Sequence, residues 1–169
     1  MRLSPLIRGL RDEAETVALG GALADTLLGL EDEIARSGVG IGLRGDLGAG
    51  KTTLVRALLR RAGVTGSVKS PTFSLLELYD VSRLHFHHFD FYRLKTPQEF
   101  VDGGFSEWFG PRSVCLVEWP ERAGAFLPRL DWEIGLELLD SGRRAVIRAD
   151  TPMGERCQHR LTEILTRQT

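Results

Sequence analysis

The eight residues Gly45-Asp46-Leu47-Gly48-Ala49-Gly50-Lys51-Thr52 constrain this chain more than any other stretch, because they fit G-x-x-x-x-G-K-[ST] at every fixed position. Glycines at that spacing let successive backbone N–H groups turn inward to form a nest, and a helix that starts there points its positive end at the same spot. A strand must deliver such a loop and a helix must leave it. Val39 to Arg44 reads as a short buried strand, and Lys51 to Arg61 reads as a helix ended by Gly63. In that setting Lys51 reaches the β- and γ-phosphate oxygens of a nucleotide, while the Thr52 hydroxyl holds Mg²⁺. Charge agrees with this reading over a turn that binds nothing. Residues 47 to 76 carry Lys51, Arg56, Arg60, Arg61 and Lys69 without one opposing acid, and Lys51 is one of only three lysines in a chain otherwise given to arginine.

A rival pattern overlaps the loop. Gly40-Ile41-Gly42-Leu43-Arg44-Gly45 matches the dinucleotide fingerprint G-x-G-x-x-G, which needs a strand before it and an acid about 20 residues later for the ribose. Here the glycines lie inside the strand, and no Asp or Glu occurs between Asp46 and Glu77. The fingerprint is rejected.

The rest of the chain reads as α/β. Asp12 to Leu30 has helical periodicity, with Asp12 and Glu15 resembling a capping box and Leu10, Ala14, Val17, Gly21, Ala24 and Leu28 on one face. Phe73 to Tyr79 reads as extended, and Leu84 to Phe89 and Val114 to Val117 as compact strands. Trp132 to Leu138 and Ala145 to Ala149 alternate about a turn at Ser141-Gly142, which predicts a late hairpin. Thr151 as cap and Pro152 as first residue open a last helix with Met153, Cys157, Leu161 and Leu165 on its apolar face. The expectation is a three-layer phosphate-loop fold with a mixed, mainly parallel sheet and an antiparallel hairpin, in one domain over residues 1–169.

Composition excludes several function classes. Hydrophobic residues at 42% and charged ones at 27% of 169 residues suit an ordinary globular domain rather than a disordered chain. A net charge of -1 gives no basic footprint for direct nucleic-acid or membrane binding. Cys115 and Cys157 are too few for a disulfide framework and suit a reducing compartment. There is no apolar run of about 18 residues, and Met1 to Leu10 lacks a signal-peptide core, so a cytoplasmic protein is expected.

A phosphate-loop enzyme needs a further carboxylate at a neighbouring strand end, to hold Mg²⁺ or orient an attacking water. Asp90 and Glu118 each follow an apolar run directly, and the carboxyl ends of parallel strands are where α/β sheets place ligands. His85, His87 and His88 resemble a metal cluster at first sight. On a strand His85 and His87 share one face and His88 takes the other, with no further ligand at suitable spacing, so a structural or partner-facing role is expected. Neither N-K-x-D nor D-x-x-G, the patterns of guanine-nucleotide switches, occurs anywhere, which leaves adenine favoured. A small-molecule kinase with a lid over Glu121 to Arg129 is the local alternative.

Four blocks then resemble one family in order: Gly45 to Thr53, Val68-Lys69-Ser70-Pro71-Thr72-Phe73, His88-Phe89-Asp90-Phe91-Tyr92-Arg93-Leu94, and Leu116-Val117-Glu118-Trp119-Pro120. They are similar to those of the bacterial TsaE (YjeE) ATPases, over about residues 12 to 147. The resemblance implies a role in tRNA N6-threonylcarbamoyladenosine synthesis at adenosine 37, through binding a TsaB–TsaD complex and hydrolysing ATP to support its turnover. By position, it makes Gly45, Asp46, Leu47, Gly48, Ala49, Gly50, Lys51, Thr52 and Thr53 the phosphate cradle, Thr52 and Glu118 the Mg²⁺ pair, and Asp90 the catalytic or water-orienting acid. Trp119 flanks the nucleotide, Thr16 lies near the adenine, and Ser70 to Thr72 form a switch-like loop. The tRNA is reached through the partners. A nucleotide-dependent assembly factor without essential hydrolysis would use the same residues.

Overall fold

Val39–Arg44 (β2) is buried along all but its last residue, as a strand at the centre of a sheet must be. In the computed structural model, which describes residues 2–69, 71 and 75–169, it is the middle of seven strands. The others are β1 (Leu6–Leu10), β3 (Leu76–Val81), β4 (Leu84–Asp90), β5 (Ser113–Glu118), β6 (Trp132–Leu138) and β7 (Arg143–Ala149), in the order β1-β7-β6-β2-β5-β4-β3. The four central strands β6, β2, β5 and β4 run parallel, while β7 and β1 on one side and β3 on the other are antiparallel to their neighbours. The expected mixed sheet and late β6–β7 hairpin are both present. The edge strand β1 was not expected; it is half exposed and pairs only with β7, so it lacks the apolar signature of the central strands.

Among the described residues five helices complete the layers: α1 (Glu13–Gly29), α2 (Glu31–Ser37), α3 (Lys51–Ala62), α4 (Gln98–Asp102) and α5 (Pro152–Arg167). Short 3-10 turns cover Phe105–Trp108 and Pro120–Phe126. Strand alternation divides the core in two. Leu84 and Phe86 of β4 join Val114 and Leu116 of β5 in the large core with α1, α3 and α5. Phe89, Cys115 and Val117 turn the other way, into a smaller aromatic core with Phe91, Phe100 and Ala123. The same period of two puts His88, Asp90 and Glu118 on the α3 side.

Two local features correct the sequence reading. Asp12 caps α1 by accepting from Glu15 N at 2.9 Å, yet the Glu15 carboxylate turns back to Arg11 rather than to Asp12, so the capping box is half made. The buried face of α1 runs through Thr16, Leu19, Gly20, Leu23 and Leu27, while Ala14 and Val17 are exposed. This helix is apolar over most of its circumference, so periodicity alone could not select its face; Gly20 does. A Cβ there would lie 2.6 Å from Ala57 Cβ and 2.8 Å from Leu54 O, so α3 approaches where Gly20 has no side chain. α5 matches expectation, with Thr151 Oγ1 accepting from Gly154 N at 3.1 Å and Met153, Cys157, Leu161 and Leu165 buried.

The rejected dinucleotide pattern also finds its physical reason. Cβ atoms on Gly40 and Gly42 would lie 3.0 and 2.8 Å from the Leu130 side chain. Those glycines let the segment after β5 lie against the sheet, and Gly40 N donates to Asp131 Oδ2 at 2.8 Å.

Candidate nucleotide site

The loop between β2 and α3 is shaped by glycine. Gly48 and Gly50 have φ of +81° and +105°, values that L side chains rarely adopt, and Gly50 stands directly before the first turn of α3. Among the described residues no side chain caps α3, and no acid occupies its first turn, so its leading N–H groups and its positive end face the loop. The pocket there has a volume of about 310 Å³ and is lined by residues 46 to 53 with Asp90, Tyr92, Glu118, Trp119 and Arg143.

Three expected residues converge on one another. Asp90 and Glu118 are register partners at the ends of the parallel strands β4 and β5, side by side facing α3. Thr52 Oγ1 donates towards Glu118, 3.2 Å from Oε1 and 3.3 Å from Oε2. A hydroxyl and a carboxylate are hard oxygen donors, and one or two such protein ligands, completed by water and phosphate, are what Mg²⁺ takes. The donor set fits that ion.

Lys51 is 6% exposed, and its Nζ donates to Gly45 O and, at 3.2 Å, to Asp46 O. Trp119 covers it, with the ammonium 4.1 Å from the ring centroid. Burial pushes the Lys51 pKa below its ordinary value, against the opposing pull of Glu118 and Asp90. Trp119 itself has φ +56° and ψ +51°, a left-handed conformation uncommon for a bulky residue, at the strand end where the chain turns across the pocket. Tyr92 packs 5.1 Å from the Trp119 ring and Arg122 lies over both. Asp90 accepts from Tyr92 N at 3.0 Å. Burial raises the Asp90 pKa, and the Glu118 charge adds to that, while the Tyr92 N–H opposes it.

Other expected residues stand apart. Thr16 lies outside the pocket lining, buried in the first turns of α1, with an Oγ1 that has no hydrogen-bond partner among the described residues. Ser70 and Thr72 of the switch-like loop lie outside the described residues. Of the Glu121 to Arg129 stretch, the part up to Phe126 belongs to the second 3-10 turn and the rest has no regular structure, with Glu121 3.1 Å from Arg44 in an ion pair. Among the histidines, His85 meets Asp80 at 2.6 Å and His87 meets Trp108 O at 2.8 Å. His88 is fully buried, so it does not face a partner. Its Nε2 contacts Glu118 Oε2 at 2.6 Å inside the protein.

Sequence reasoning missed Arg143. It opens β7, where its Nη2 donates to Gly48 O at 3.2 Å, and a Cβ on Gly50 would come 3.3 Å from its Nε. The guanidinium therefore lies along the loop as a second cation beside Lys51. More than ninety residues separate it from the loop, and nothing in an arginine-rich chain distinguishes it.

Against known proteins, the family model described as threonylcarbamoyl adenosine biosynthesis protein TsaE matches residues 10–146. The tRNA threonylcarbamoyladenosine biosynthesis protein TsaE of Haemophilus influenzae is 37% identical over 153 residues, covering 90% of this chain and 95% of that protein. TsaE of Bacillus subtilis is 36% identical over 112 residues, covering 66% and 70%. The crystal structure of Bacillus subtilis YdiB superposes with a TM-score of 0.76 at 27% identity, covering 96% of this chain and 97% of that one. Sequence and fold lead to one conclusion: the chain belongs to the TsaE family.

Proposed function

We propose that this protein is a Mg²⁺-dependent ATPase that binds a TsaB–TsaD complex and supports its turnover in tRNA threonylcarbamoyladenosine synthesis. The observation that carries the reading is the convergence of Lys51, Thr52, Asp90 and Glu118 on one pocket at the N-terminus of α3. Each has a distinct task there. The loop N–H groups and Lys51 hold the phosphates, so that charge developing on the transferred group meets donors already in place. Thr52 and Glu118 hold Mg²⁺, which when bound neutralises charge on the phosphate oxygens. Asp90 orients the attacking water. Trp119 and Tyr92 wall the pocket on one side and Arg143 on the other, excluding solvent from the charged groups. Adenine suits a pocket without a guanine-reading carboxylate motif.

Hydrolysis is expected to be slow for the protein alone and to rise severalfold with TsaB–TsaD. Contact with tRNA belongs to the partners, in the cytoplasm. No helix among the described residues is long and apolar enough to cross a membrane. The test is phosphate release from Mg·ATP with and without purified TsaB–TsaD, beside a tRNA modification assay. Modification restored by Asp90→Ala protein that cannot hydrolyse ATP would favour an assembly factor instead. Phosphate transfer to a metabolite without any partner would favour a kinase.

Arg143 supplies a narrower expectation. A guanidinium hydrogen-bonded along a phosphate loop contributes a charge-assisted contact, so Arg143→Ala is expected to weaken nucleotide binding about 10-fold. Titration with a fluorescent ATP analogue checks this, and unchanged affinity would make Arg143 a strut for the loop only.

A further inference from the structure

Glu118 is gripped from inside the sheet. Its side chain is 3% exposed and that of His88 is 1% exposed, and the 2.6 Å contact between them commits one carboxylate oxygen, Oε2, to the ring. The other His88 nitrogen, Nδ1, is buried with no hydrogen-bond partner among the described residues. With Glu118 ionised, the tautomer bearing its proton on Nε2 donates to Oε2, and Nδ1 is left as an unused acceptor. This is a costly way to fill a core position. Phe86, two residues earlier on the same face of β4, fills its place without a polar atom to satisfy. The imidazole makes sense at position 88 for what it does to Glu118.

We infer that His88 is a positioning residue that holds the Glu118 carboxylate by Oε2 and leaves Oε1 as the oxygen offered to the metal beside Thr52, and so sets both the affinity and the identity of the metal ion at this site. The inference rests on the reading of Thr52 and Glu118 as the Mg²⁺ pair. The Thr52 hydroxyl lies almost equally far from both carboxylate oxygens, so it does not choose between them; the histidine does. A carboxylate with one oxygen engaged is a single-point ligand. That suits Mg²⁺, which demands near-octahedral geometry, and disfavours Ca²⁺, which readily takes a carboxylate through both oxygens. Partners of this kind, one step behind a ligand, typically alter metal affinity about 10- to 100-fold when removed.

The experiment measures fluorescent ADP binding to the full chain in EDTA, in Mg²⁺ and in Ca²⁺, with thermal melts of the nucleotide-free proteins. His88→Phe is expected to leave binding in EDTA unchanged and to weaken the Mg²⁺ dependence about 10- to 100-fold, with a smaller loss for Ca²⁺, so that the preference for Mg²⁺ narrows. His88→Gln, whose amide can donate from near the Nε2 position, should restore most of it. His88→Asn, whose shorter amide cannot reach, should behave like His88→Phe and serves as the loss variant if phenylalanine prevents folding. In a Glu118→Ala background, His88→Phe should have no further effect on the metal. The inference is overturned if Glu118→Ala abolishes Mg²⁺ dependence while the loss variants keep wild-type dependence and preference. It is equally overturned if they weaken nucleotide binding alike with and without metal, as a merely structural residue would. Mg²⁺ dependence surviving in Glu118→Ala would instead remove the underlying metal assignment.

Discussion

Replacing Lys51 with alanine is expected to lower ATP hydrolysis by at least about 100-fold, the scale of losing one preorganised charge-stabilising donor. Lys51 is the first residue of α3, where the loop N–H groups and the helix end already concentrate positive potential. Its ammonium now rests on the carbonyls of Gly45 and Asp46, beneath Trp119. Those carbonyls are loop acceptors that water can serve, so losing the lysine should not unfold the protein, and the melt without nucleotide should stay near that of wild type. Phosphate oxygens, by contrast, have no full substitute for it, because the Arg143 guanidinium is already engaged with Gly48 O. The measurement is single-turnover hydrolysis with TsaB–TsaD present. Turnover within about tenfold of wild type would show that charge at this position is not what the reaction uses, since a tenfold change corresponds to only about 1.4 kcal/mol of barrier.

The residues legible in the sequence share one property: their signal is local. The phosphate loop is a contiguous pattern whose glycines, lysine and threonine act within one turn of backbone. Asp90 and Glu118 were visible because a buried parallel strand is a continuous apolar run, and an acid at its end interrupts that run. The β6–β7 hairpin and α5 announced themselves through alternation, a turn and a cap. What stayed hidden is made by contacts through space. Arg143 meets Gly48 only because β7 lies next but one to β2 in the sheet, an order the alternation of single strands does not contain. His88 was assigned correctly to the face opposite His85 and His87, yet its partner on β5 is set by parallel register between strands far apart in sequence. The inward face of α1 was unreadable for a different reason. A helix buried on several sides has too little polar surface to mark an orientation, and the absent side chain of Gly20 decides it.

Asp90→Asn is expected to separate binding from chemistry. If Asp90 orients the attacking water, the variant should bind Mg·ATP nearly as wild type does, while hydrolysis falls about 100- to 10,000-fold, the usual contribution of a positioned proton acceptor. The same substitution should stabilise the nucleotide-free protein. In that state burial, with a lesser contribution from Glu118, raises the Asp90 pKa above its ordinary value. A carboxyl that holds its proton more tightly folded than unfolded makes the native state less stable as pH rises from about 4 through the raised pKa, above which the whole cost is present. Asparagine keeps the oxygen that accepts from Tyr92 N and carries no charge, so the variant should melt higher than wild type at pH 7. That advantage should shrink as pH falls and vanish below about pH 4, where the wild-type carboxyl is protonated in both states. Wild-type hydrolysis should in turn lose activity on an acid limb lying above the ordinary carboxylate range. Glu118→Ala supplies the contrast, because a metal-holding residue should change the Mg²⁺ dependence of nucleotide binding itself. If Asp90→Asn instead loses Mg²⁺-dependent binding, while Glu118→Ala binds Mg·ATP normally but hydrolyses it slowly, the two carboxylates have exchanged roles. A melt unchanged at pH 7 would show that the charge on Asp90 is already relieved in the free protein, and that its removal acts on the reaction alone.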